Sequence, residues 1–149
     1  MASVEKSIEV EVPVKAAYNQ WTQFEQFPRF MEGVKAVEQR GDDLLHWIAE
    51  VGGKKREWDA RITEQLPDHR IAWTSTEGDR NAGVVTFHRL EPNKTKIMLQ
   101  VDYEPEGAAE HLGDVLGVMD RRIQGDLKRF KEFVEAGTPT GGWAGAINN

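Results

Sequence analysis

The side chains able to do chemistry in this chain are few and widely spaced. Four histidines, His46, His69, His88 and His111, recur at no ligand spacing, so the sequence predicts no metal site. Asp102, Glu104 and Glu106 look like a carboxylate cluster fit for general acid–base work. Asp102 and Glu104, however, share the outward face of one strand and read as a solvated face. Tyr103 points the other way and could donate a hydrogen bond, with Arg80 near enough in the fold to reach the same rim. These two are the only catalytic candidates offered, and no base shares a row with them. The absence of cysteine removes thiolate nucleophiles, thiolate metal sites and disulfides. No phosphate loop, nucleophile elbow or dinucleotide fingerprint is present.

The element that must position these residues is a long helix near the C-terminus. From Gly107 to Ala136, Leu112, Leu116, Met119, Ile123, Leu127, Phe130 and Val134 recur at spacings of three and four. That is one apolar stripe on an amphipathic helix. Asp114, Arg121, Arg122, Asp126, Lys128, Arg129, Lys131 and Glu135 are assigned to its wet side. Pro105 and Glu106 suit its start; Gly137 and Pro139 suit its end. Gly113 and Gly117 fit close packing on a sheet, or room for a ligand beside the helix. The small residues of its first half place a pocket there, whereas the second half is expected to seal the sheet.

Before the helix the pattern is largely period-two. Val4, Lys6, Ile8, Val10 and Val12 alternate with acidic or polar residues, and Pro13 ends that strand. Two short helical segments come next, over Val14–Trp21 and near Phe24–Met31, interrupted by Pro28. Turn signals then separate runs at 34–40, 44–51, 55–66, 70–76, 83–90 and 95–104, an antiparallel meander. Alternation places Thr95, Ile97, Leu99, Val101 and Tyr103 on the face toward the helix. With them go Gly83, Val85 and Phe87; Ile71, Trp73 and Ser75; Trp58, Ala60 and Ile62; and Trp47, Ala49 and Val51. Two packings suit so tryptophan-rich a face: a filled core, or a cavity under a curved sheet. The row pattern taken alone favours the filled core.

Composition narrows the function. The 149 residues are 39% hydrophobic and 30% charged, which suits one globular domain. A net charge of −6 argues against a nucleic-acid partner, since phosphate binding needs a basic patch. No apolar run approaches a membrane span, and the N-terminus lacks a signal-peptide core, so a cytoplasmic location is expected. The uncharged stretch 138–149, with Trp143 as its only large anchor, reads as a flexible tail after a domain of residues 1–137.

Residues 3–136 resemble the polyketide cyclase/dehydrase branch of the START-like (SRPBCC) helix-grip superfamily. The resemblance is carried by Trp21 with Phe27-Pro28-Arg29-Phe30, by Glu57-Trp58-Asp59-Ala60, by Pro67, and by Ile71-Ala72-Trp73 with Ser75. It implies a bacterial α+β protein: a seven-stranded antiparallel curved sheet wrapped around a long C-terminal helix, with two short helices after strand 1. It also implies a deep cavity, used in relatives for lipids, sterols, polyketides, quinones or plant hormones. The expected lining is Trp47, Trp58, Trp73, Ser75, Val85, Phe87, Leu99, Val101, Tyr103, Leu112, Leu116 and Met119. The reading is therefore a protein that binds or carries a small hydrophobic molecule, as monomer or homodimer, with no cofactor. The alternatives are a polyketide cyclase or dehydratase using Tyr103 and Arg80, and a non-catalytic interaction module.

Overall fold

The computed structural model describes residues 2–51, 53–78, 80–104 and 112–136. The expected helix start at Pro105–Glu106, His111, and the tail 138–149 with Trp143 lie outside the described residues. So do the side chains of Val51, Leu112, Gly113 and Leu116.

Seven strands form one antiparallel sheet: β1 (Ala2–Val10), β2 (Val34–Gln39), β3 (Leu44–Val51), β4 (Lys54–Leu66), β5 (Arg70–Gly78), β6 (Arg80–Glu91) and β7 (Lys94–Glu104). Their spatial order is β1-β7-β6-β5-β4-β3-β2. Helix α1 (Val14–Trp21) and a 3₁₀ helix (Phe24–Arg29) separate β1 from β2, and α2 (Leu112–Glu135) comes after β7. This is the α+β helix-grip architecture. Both β5 and β6 run past the turn expected at 77–79, but they pair with each other only from Arg70↔Thr86 to Thr74↔Ala82. Beyond that β5 continues against β4 (Trp58↔Gly78) and β6 starts against β7 (Arg80↔Glu104). Gly78 adopts φ +86 there, and a Cβ on it would collide with the β4 backbone.

The sheet is curled. Trp58 on β4 and Tyr103 on β7 are three strand positions apart, which is about 14 Å across a flat sheet. Their ring centroids are 6.5 Å apart. The concave face so formed holds α2.

Both free sheet edges are closed by side chains. On β1, Lys131 Nζ donates to the Glu9 carbonyl at 3.0 Å, and just past the strand the Glu11 N–H donates to Glu135 Oε2 at 2.6 Å. Lys6 adds an ion pair to Asp120 at 3.1 Å. On β2, the Gln39 N–H donates to Glu25 Oε2 at 3.0 Å. Charged side chains thus occupy edges that would otherwise template pairing with another chain.

Alternation along β4 breaks once. A register shift between Ile62 and Glu64 buries Gln65 and turns Leu66 outward. A bulge of this kind reverses the parity of the strand residues beyond it.

The densest packing lies under the C-terminal half of α2. Phe130 is fully buried, with its ring centroid 5.0 Å from Trp21 and 5.2 Å from Phe30, both near edge-to-face. Tyr18 and Trp21 of α1 meet Phe87 of β6 at 5.4 and 6.3 Å. This cluster joins α1, the 3₁₀ segment, the sheet and α2. Phe130→Ala is therefore expected to cost about 3–5 kcal/mol, read as a drop in the denaturant midpoint. A loss below about 1 kcal/mol would mean the cluster does not hold the helix down.

Candidate functional site

Beyond the aromatic cluster, sheet and helix diverge and enclose a cavity of about 150 Å³. The filled-core expectation is thereby corrected. β3 and β4 supply Leu45, Trp47, Ala49, Trp58 and Ile62; β5 and β7 supply Ile71, Trp73, Leu99, Val101 and Tyr103. α2 contributes Val118, Met119, Arg122, Ile123, Asp126 and Leu127. Trp21, Phe24, Phe27 and Met31, from the segment between β1 and β2, close the remaining wall.

The tryptophans are set by sheet register. Trp47 and Trp58 are direct cross-strand partners, so their rings stack at 5.7 Å with an interplanar angle of 13°. Trp73 lies over Gly83, where any Cβ would overlap its ring. Its Nε1–H donates to Asn81 Oδ1 at 3.3 Å. Among the described residues, the buried Nε1–H groups of Trp47 and Trp58 have no acceptor. These two buried donors each cost roughly 1–3 kcal/mol while unpaired.

Of the residues expected to line a cavity, Trp47, Trp58, Trp73, Leu99, Val101, Tyr103 and Met119 do so. Three do not. Val85 and Phe87 face inward but are packed into the core, Phe87 against Tyr18 and Trp21. Ser75 Oγ accepts the Asn81 N–H at 3.0 Å within the β5–β6 hairpin. Thr95, a further polar inward residue, donates to the Val12 carbonyl at 2.9 Å. Arg80 is also displaced from its expected rim position: it is exposed and pairs with Glu104 at 3.1 Å. Tyr103 and Arg80 thus do not converge. Nor does Gly117 line the space; the helix contribution runs on to Leu127, into the half expected only to seal the sheet.

The main correction concerns α2. Arg122 and Asp126, assigned to its wet side, both face the cavity. Asp126 is buried, and its Oδ1 accepts the Glu32 N–H at 3.1 Å and a donation from Arg129 Nη2. Arg129 Nε in turn donates to the Phe30 carbonyl at 2.8 Å. The pair pins Phe30–Glu32 onto the helix. Burial pushes the Asp126 carboxyl above the ordinary aspartate value, against the opposing pull of Arg129, the Glu32 N–H and Arg122. Arg122 donates to the Glu50 carbonyl and lies over Gly33, which has no Cβ to obstruct it.

His46 lies away from the cavity. His46 bridges Asp59 at 2.7 Å and Glu57 at 3.1 Å on the outer face of the sheet. Among the described residues no His, Asp and Glu side chains are grouped to hold a metal ion, and no helix is long and apolar enough to cross a membrane.

The profile of the family described as "Polyketide cyclase / dehydrase and lipid transport" matches residues 10–132. An uncharacterized 17.2 kDa protein of Streptomyces lincolnensis is 57% identical over 149 residues, covering 99% of each chain. Among solved structures, the Zhui aromatase/cyclase from Streptomyces sp. R1128 superposes with a TM-score of 0.76 at 18% identity, over 96% of this chain and 99% of that one. A START superfamily protein from Mycobacterium smegmatis gives 0.76 at 15%, over 91% and 99%. At these identities the structures speak to the fold alone.

The raised Asp126 pKa has a thermodynamic signature. A carboxyl held above its unfolded value contributes stability that is fully present below the unfolded pKa and is lost as pH rises through the folded one. Asp126→Asn keeps an acceptor for Glu32 and Arg129 but does not ionise. The wild type should therefore lose stability relative to Asp126→Asn as pH rises above the ordinary aspartate value of about 3.9, followed by urea unfolding at each pH. A difference that stays flat or runs the other way contradicts burial as the dominant influence.

Proposed function

Since the chain belongs to the polyketide cyclase / dehydrase and lipid transport family, we propose that it binds a small hydrophobic ligand, aromatic or isoprenoid, between the curled sheet and α2. The observation that carries this reading is the cavity lined by Trp47, Trp58 and Trp73, almost wholly apolar and closed at one end by the Phe130 cluster. Such linings suit small-molecule recognition, in which apolar contact supplies affinity and a few polar groups fix orientation. A space of about 150 Å³ takes one or two fused rings without moving a wall.

A second reading, cyclisation or dehydration of a polyketide-like substrate, is favoured by one observation. Asp126 lies on the cavity wall, and burial moves its carboxyl upward from the ordinary aspartate value, the direction a proton-transferring group requires. In that reading Asp126 replaces Arg80 as the partner of Tyr103. Turnover of a poly-β-ketone mimic that is lost in Asp126→Asn would support it, and no turnover by the wild type would remove it.

The binding reading is tested by occlusion. Methyl 2-naphthoate should quench tryptophan fluorescence saturably in the wild type. Leu99→Trp fills the cavity and should weaken binding at least about ten-fold, or ~1.4 kcal/mol, with the far-UV circular dichroism retained. Equal affinities for the two proteins would place the ligand elsewhere.

A further inference from the structure

The polar groups on the cavity wall are unevenly matched. Three charged residues contribute to it: Glu50, Arg122 and Asp126. The Glu50 side chain belongs to the outer face of β3, where it is exposed, so the strand presents its backbone here. Asp126 is hydrogen-bonded by Arg129 and the Glu32 N–H and meets Arg122 only through its charge. Arg122 is the single cation among the described lining residues, and its hydrogen bond there is to a neutral carbonyl, that of Glu50. A guanidinium carries five N–H donors in a fork that matches a carboxylate. One of them is spent on Glu50.

The placement is built rather than incidental. Arg122 crosses over Gly33 at the start of the β2–β3 ladder, where the Glu50 N–H donates to the Gly33 carbonyl at 2.7 Å. Any side chain at position 33 would evict the guanidinium. Gly33 is buried and its φ is not in the left-handed region, so close approach, and not backbone conformation, accounts for a glycine there.

Resting on the binding reading above, we propose that the ligand is an amphipathic acid. Its apolar body lies among Trp47, Trp58 and Trp73, and its carboxylate is held by Arg122 at the α2 side of the cavity. Arg122 is half-buried, and a charge-assisted bond to it is stronger than one between neutral groups. The net charge of −6 repels acids at long range. The preference must therefore come from this contact and be visible in the dissociation rate.

The test compares 2-naphthoate, ionised at neutral pH, with methyl 2-naphthoate, which has the same rings and no charge. Titration calorimetry at low salt should give the acid about ten-fold or more tighter binding to the wild type, the range of a hydrogen bond to a charged group. In Arg122→Gln the ratio of the two affinities should fall to about unity. Gly33→Ala should lower it as well, because it displaces the guanidinium without deleting it. Gly33→Ala also serves where Arg122→Gln fails to fold. If the wild type binds ester and acid equally, or both variants keep the acid preference, the acid proposal is overturned while hydrophobic binding stands. If neither compound binds, the binding reading falls and this proposal falls with it.

Discussion

One constraint governs the molecule: a single helix must cover the concave face of a sheet that is more strongly curled at one end than its side chains can fill. At the C-terminal end of α2 the problem is solved by aromatic rings. Phe130 lies between Trp21 and Phe30, and Phe133 packs beside Phe30 at 5.5 Å. Edge-to-face contacts of this kind contribute beyond the area they bury. They anchor α2, α1 and the 3₁₀ segment as one unit. Toward its N-terminal end the helix presents Val118 and Met119, and the opposing rings stack on each other instead of reaching it. Space remains because Trp47 and Trp58 are satisfied by one another as far as packing goes.

The wall opposite the tryptophans is held by polar contacts. Asp126 and Arg129 fasten Phe30–Glu32, and Arg122 fastens Glu50. The same side chains that close the cavity are thus the ones that give it charge. Sealing a cavity edge with hydrogen bonds and not with apolar packing has a physical consequence. Each of these bonds involves a charged group and so contributes roughly 1.5–3 kcal/mol, and the Arg129 bond to the Phe30 carbonyl ties this wall to the Phe130 cluster.

Much of this was legible in the sequence. Period-two alternation assigned Trp47, Trp58, Trp73, Leu99, Val101 and Tyr103 to the helix side of the sheet, and the chain spacing located the meander and both short helices. The errors share one cause: parity decides which face a residue occupies, but not where along the strand it meets another layer. Val85 and Phe87 stand in the same inward row as Gly83, yet they lie at the end where α1 packs. Ser75 stands at the hairpin end, where the backbone of Asn81 claims its hydroxyl. Only the curl and the seat of α1 separate these fates, and both are long-range properties. The bulge after Ile62 is a local failure of the same rule.

Asp126 and Arg122 were missed for a subtler reason, and the signal was present. At about 100° per residue, Asp126 falls some 60° from Ile123, at the border of the apolar stripe, and Arg122 falls about 100° away. A helix packed on a flat surface would leave both in water. A helix gripped by a concave sheet is contacted over a wider arc, so its flanking positions are enclosed too. Polar residues at the flanks of a gripped helix are therefore better read as cavity lining than as solvent-facing. The chemistry of the site then depends on how far round the helix the sheet extends, a property that the helix sequence alone does not record.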